Sequence, residues 1–131
     1  MVQPDRDPAA EATPFAPRRV DKPWGHELIW AETDTYVGKV LHIRAGHQLS
    51  FQFHVAKDET VHVLAGAVEI DVGGELGARR TLRLGPGDSL RIRPGTRHRL
   101  RAIETSDVLE ASTPQLDDVV RIEDDYGRAG L

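Results

Sequence analysis

Cysteine is absent from the 131-residue chain. That excludes disulfide scaffolds, thiolate metal sites and cysteine nucleophiles, and it fits a reducing cytoplasm. A basic excess is missing too. Lys plus Arg number 17 and Asp plus Glu 21, giving a formal net charge of −4. Such a chain lacks the basic face that phosphate neutralisation requires, so no nucleic-acid partner is expected. Aromatics are sparse at 5%. No apolar run approaches the roughly 20 residues that span a bilayer, so no membrane partner is expected. The opening residues, MVQPDRDPAAEATP, are acidic and Pro-rich, without the apolar stretch of a secretory signal. A cytoplasmic protein is the resulting expectation.

What remains has globular proportions, with 39% hydrophobic and 29% charged residues. The length suits one domain. Residues 1–19 read as a disordered arm, with four prolines among Ala, Asp and Glu and too little apolar surface to offset ordering. Residues 20–131 read as a single domain. There, short apolar runs are punctuated by Gly and Pro every eight to twelve residues, which predicts an all-β sandwich or barrel. Strands are expected at Tyr36–Ile43, Gln48–His54, Thr60–Leu64, Ala67–Val72, Arg80–Leu84, Ser89–Ile92, Arg99–Ile103, Val108–Ala111 and Val119–Ile122.

The second of these carries the chemistry. Side chains alternate along a strand, so Leu49, Phe51 and Phe53 share one face and Ser50, Gln52 and His54 the other. If the polar face points inward, it lines a site. Glu59 follows a short turn, and an antiparallel pair can bring Gln52, His54 and Glu59 to one spot. His98, just after the Pro94-Gly95 turn, is the natural fourth member. Two imidazoles, an amide and a carboxylate suit a borderline divalent cation such as Zn, Mn, Co, Ni or Fe. His26, His42, His47 and His62 have no motif behind them and read as structural or surface residues. Trp24 and Trp30 read as packing residues. The run Arg91, Arg93, Arg97, Arg99 and Arg101 reads as an outward strand face paired to acids.

The spacings resemble those of the cupins. Gly46, five residues, Gln52-Phe53-His54, four residues, Glu59, six residues and Gly66 reproduce their first motif, with Gln for the first His. Gly87, five residues, Arg93-Pro94-Gly95, two residues and His98 reproduce the second, with Arg93 for Pro and Ala102 where Asn is usual. The resemblance implies a cupin-type double-stranded β-helix, a jelly-roll barrel, with Gln52, His54, Glu59 and His98 around one metal. It also implies a homodimer.

A narrower resemblance covers most of residues 20–128. Lys22-Pro23-Trp24-Gly25, Lys39 seven residues before Gly46, Leu49-Ser50-x-Gln52-x-His54 and DDVVRIEDDYGR from Asp117 to Arg128 look like the cupin domain of type II mannose-6-phosphate isomerases. That family has Arg where this chain has Lys57, and His-Trp where it has Thr60-Val61. The resemblance implies a metal-dependent aldose–ketose isomerase acting on a small sugar phosphate. Lys39 and Arg121 would serve catalysis, and Lys57 would bind substrate. The changes beside Glu59 leave open a metal cupin of another kind: a binding or regulatory module, a lyase or a dioxygenase.

Overall fold

The computed structural model describes residues 7–74 and 77–129. Residues 1–6 of the expected arm, and 130–131 at the other end, lie outside the described residues. The described part of the arm carries a 3₁₀ turn, Pro8–Glu11, capped by the Asp7 side chain accepting from the Ala9 amide at 3.0 Å. Among the described residues there is no α-helix.

Nine strands follow: β1 (Arg18–Lys22), β2 (Gly25–Glu32), β3 (Val37–Ile43), β4 (Phe51–Phe53), β5 (Glu59–Val72), β6 (Arg80–Leu84), β7 (Ser89–Ile92), β8 (His98–Ser112) and β9 (Val120–Glu123). Along one path the sheet runs β1-β2-β3-β8-β4-β9, and β5 pairs with β8, β6 and β7. Every pairing is antiparallel. The jelly-roll expected from the sequence is the fold observed.

Strand parity builds the interior. On β8, His98, Leu100 and Ala102, then Ser106, Val108, Glu110 and Ser112, are buried alternately. On β3 the buried row is Val37, Lys39, Leu41 and Ile43. Val61, Val63, Val68 and Ile70 of β5 complete an apolar cluster with Trp24, Leu84, Ile92, Leu100 and Val108. Burial of that cluster supplies the main favourable term of folding, near 25 cal/mol for each Å² of apolar surface removed from water. The same inward rows carry Lys39, Glu59, His98 and Glu110. One end of the barrel is therefore apolar and the other chemically equipped.

The expected Thr60–Leu64 and Ala67–Val72 are halves of one strand, β5. Its pairing with β8 shifts register at Ala65 and Ala67. Gly66 sits at that bend with φ +90°, and a Cβ there would lie 2.2 Å from Ser106 Oγ and 2.6 Å from Thr105 O. Glycine here bends a strand rather than ending it. Likewise, the expected Arg99–Ile103 and Val108–Ala111 are both parts of β8. The expected Gln48–His54 shortens to Phe51–Phe53, preceded by an isolated bridge from Gln48 to Arg101.

Candidate metal centre

Three ligand-type side chains converge at the equipped end. His54 follows β4, Glu59 opens β5 and His98 opens β8. All are buried. One ligand atom of each lies within 4.8 Å of the others. Glu59 Oε1 is 3.4 Å from His54 Nε2 and 3.2 Å from His98 Nε2. Gln52 stands directly opposite His98 in the β4–β8 register, and Ser50 Oγ donates to its Oε1 at 2.5 Å.

The tautomers are set from outside the cluster. His54 Nδ1 donates to the Asp118 carbonyl at 2.5 Å, and His98 Nδ1 to the Thr96 carbonyl at 2.8 Å. A carbonyl only accepts, so each Nδ1 carries hydrogen, and a metal ion at the cluster would meet the Nε2 lone pair of each ring. His54 Nε2 is buried without a hydrogen-bond partner. The donor set of two bare imidazole nitrogens and a carboxylate oxygen fits a borderline divalent cation.

A buried chain of charges backs this cluster. Lys57 Nζ lies 3.0 Å from Glu59 Oε2 and 3.1 Å from Glu110 Oε2. Lys39 Nζ lies 3.2 Å from Glu27 Oε2 and 3.9 Å from Glu110 Oε2. Burial opposes ionisation of Glu59, but in the metal-free cluster hydrogen bonds from rings carrying hydrogen at Nε2, together with the charge of Lys57, outweigh it and hold the carboxyl well below its ordinary 4.5. Burial and the charge of Glu59 push Glu110 up, against the pull of Lys57 and Lys39. Burial pulls Lys57 down, but Glu110 and Glu59 more than reverse it, so its pKa is raised.

These groups line a cavity of about 230 Å³, which also takes in Trp24, Leu49, Arg121 and Arg128. Arg121 faces Gln52 in the β4–β9 register. Its Nε is buried with no hydrogen-bond partner.

Comparison with known proteins settles the family. The cupin domain model matches residues 39–111. The chain belongs to the cupin family. It is 32% identical over 116 residues to the mannose-1-phosphate guanylyltransferase ManC of Salmonella typhimurium, covering 85% of this chain and 23% of that protein. The cupin thus spans about a quarter of that curated relative. Among solved structures, KdgF from Halomonas sp. is similar at a TM-score of 0.65 and 27% identity, over 77% of this chain and 91% of that one. Oxalate decarboxylase from Bacillus subtilis shares the fold at a TM-score of 0.70 and 12% identity, over 82% of this chain and 31% of that one.

All seven site residues expected from the sequence line the one cavity: Lys39, Gln52, His54, Lys57, Glu59, His98 and Arg121. Lys57 is 4% exposed, and two carboxylates engage its ammonium. Leu49 lines the cavity beside Ser50, against the expected alternation, because the chain is not yet a strand there. Phe51 does take the opposite face, under the Arg79 guanidinium at 3.7 Å from the ring centroid.

Two residues escaped the sequence reading. Glu110 sits in phase with Val108 on the inward row of β8; an acid on an apolar parity was the available signal. Asp118 clamps the loop after His54, accepting from the amides of Val55, Ala56 and Lys57 at 3.0, 2.7 and 2.9 Å. Its place in the terminal DDVVRIEDDYGR segment was visible, but its partners were not. Of the arginine run, Arg91 pairs with Asp58 and Arg101 with Asp71, as expected of an outward face. Arg99 departs from it, buried and donating to the carbonyls of Leu49 and Glu123.

Proposed function

We propose that this cupin is a metal-dependent sugar-phosphate isomerase, interconverting mannose-6-phosphate and fructose-6-phosphate. The observation that carries the reading is the pair of Nε2 lone pairs converging with Glu59 Oε1 in a cavity rimmed by basic side chains. His54, Glu59 and His98 would hold the ion, with Gln52 as a neutral fourth ligand. A bound divalent cation would supply Lewis-acid polarisation of the substrate carbonyl and stabilise an enediolate. The similarity to mannose-1-phosphate guanylyltransferase supports a mannose-phosphate substrate. The segment Asp117 to Arg128 supports the isomerase.

The chain's own groups cover the remaining tasks. Isomerisation moves one proton between C2 and C1 and exchanges hydroxyl and carbonyl between O1 and O2. Lys39 and Glu110, buried and 3.9 Å apart, form an acid–base pair for that transfer. Residual positive charge in the loaded site favours the anionic intermediate. The protein would work in the cytoplasm as a homodimer.

A second reading is a metal cupin with other small-molecule chemistry. KdgF, matched over 91% of its length, and Thr60-Val61 in place of the family's His-Trp favour it. A coupled assay separates the two. Protein stripped of metal and reloaded with Zn, Mn, Co, Ni or Fe(II) is offered mannose-6-phosphate. The isomerase reading predicts turnover with at least one metal, lost in His54→Ala. It also predicts that Lys39→Met binds metal but turns over at least about a hundredfold more slowly. No turnover by folded, loaded protein with any metal would refute it.

A further inference from the structure

The cavity is charged in opposite senses at its two ends. At the buried end Glu27, Glu59 and Glu110 face Lys39 and Lys57, one negative charge in excess. At the lip Arg18, Lys22, Arg121 and Arg128 face Asp117, three positive charges in excess. The buried end is made for a cation and the lip for an anion. Nothing in the overall charge of −4 announces this.

The lip is formed by two edge strands of the curled sheet. β1 and β9 are the ends of the strand path, yet both line the same cavity. On β1, Arg18, Val20 and Lys22 alternate inward. Arg19 and Asp21 face away and pair with each other at 2.9 Å. On β9, Arg121 begins a cross-strand row that continues through Gln52 of β4 to His98 of β8. Two strand spacings, about 10 Å, therefore separate the backbone of Arg121 from that of His98. Both residues line the cavity, and that separation is one a phosphorylated hexose can bridge.

Not all of these cations are free. Arg18 pairs with Glu32 at 3.1 Å and Arg128 with Asp124 at 2.9 Å. Lys22 and Arg121 have no ion pair among the described residues, and the buried Arg121 Nε has no acceptor at all. A buried donor left unmade is costly, and an anionic oxygen docking there would remove the cost.

We propose that Arg121 and Lys22 form an anion subsite at the cavity lip that takes the phosphate group of a phosphorylated small molecule. The proposal deepens the sugar-phosphate reading and rests on it for what lies at the other end of the ligand. Cations from two different strands suit a tetrahedral dianion, which offers oxygens on more than one side. A planar carboxylate carries one charge and presents one edge.

Calorimetric titration at low salt tests it. The probes are inorganic phosphate, mannose-6-phosphate, mannose and glucuronate. The proteins are wild type, Arg121→Gln, Arg121→Lys and Lys22→Gln, each both EDTA-treated and zinc-loaded. In EDTA-treated wild type, both phosphate probes bind, and mannose and glucuronate bind at least about tenfold more weakly. Arg121→Gln weakens both phosphate probes about tenfold or more, and Lys22→Gln by about threefold to tenfold. Arg121→Lys keeps the charge and recovers part of the loss, which separates charge from strand integrity. Zinc affinity stays unchanged in all three variants. Phosphate affinity equal in wild type and Arg121→Gln overturns the subsite, as does the absence of phosphate binding to wild type. Glucuronate binding as tightly as mannose-6-phosphate overturns the phosphate assignment. Zinc failing to bind wild type would refute the metal reading while the EDTA-treated arms still decide the subsite.

Discussion

His54 owes its orientation to a residue 64 positions away in the chain. The Asp118 carbonyl takes the imidazole Nδ1 hydrogen, and the Asp118 carboxylate takes three successive amide hydrogens of the loop that follows. Those amides hold the Asp118 carboxyl below its ordinary 3.8. Groups that orient a metal-binding imidazole typically change metal affinity about tenfold to a hundredfold. Asp118→Ala is expected to weaken zinc by that factor in competition with a chromophoric chelator, and an unchanged affinity would contradict the clamp. Lys57 has a different role. It is the cation between Glu59 and Glu110, and losing it leaves two carboxylates buried together. Lys57→Met is expected to destabilise the metal-free protein by about 3–5 kcal/mol in urea denaturation. Saturating zinc should recover part of that loss, because the ion restores positive charge beside Glu59. A variant as stable as wild type without metal would show that Lys57 does not compensate the pair.

At the scale of elements, β5 and β8 are the spine on which both ends of the cavity depend. Outside the apolar cluster they are joined by a charged clasp. Arg101 of β8 holds both oxygens of Asp71 of β5 at 3.1 Å, and Thr81 donates to the same carboxylate at 2.7 Å. The Arg101 fork, against mild burial and helped by Thr81, keeps Asp71 below its ordinary 3.8. A depressed carboxyl contributes stability that is present above its ordinary pKa and lost as pH falls through its folded value. Asp71→Asn should therefore be less stable than wild type at pH 7 by up to about 1 kcal/mol, the ceiling for a partly solvated pair. The two stabilities should begin to converge as pH falls below the ordinary 3.8 and come together below the folded value. A gap that stays constant with pH would contradict the assignment.

The strands differed in how plainly they could be read. β6 and β7 were readable to the residue, since Gly85-Pro86-Gly87 and Pro94-Gly95 stop them on both chemical grounds, a missing donor and a free φ. β5 and β8 were readable only as halves, because positive φ at Gly66 serves a bulge as well as a turn. β1 and β2 were not anticipated. Arg18–Lys22 has Val20 as its lone apolar residue, and its hydrogen bonds to β2 come from tertiary arrangement rather than local pattern. The β1 side of the proposed anion subsite was hidden with it. Trp30 of β2 shows the same dependence. It lies over Gly38 of β3, where a Cβ would sit 2.6 Å from its ring, and no local periodicity encodes that contact.

For the molecule as a whole, the candidate metal ligands were legible because their spacing is a local property of two turns, Gly46 to Gly66 and Gly87 to His98. What surrounds them was not, because Glu110 and Lys22 reach the cavity, and Asp118 reaches His54, from three other segments. On the proposed reading the cavity is one device, with a cation held by imidazoles at its base and an anion held at its lip. Everything else in it depends on the cation, and direct metal analysis tests for that. Purified wild type, stripped and dialysed against zinc, is measured by elemental analysis beside His54→Ala and Glu59→Gln. About one zinc for each wild-type chain is expected, with a loss of at least tenfold in affinity in either variant. Folded wild type that takes up no zinc, manganese, cobalt, nickel or iron, or variants that retain full binding, would contradict it.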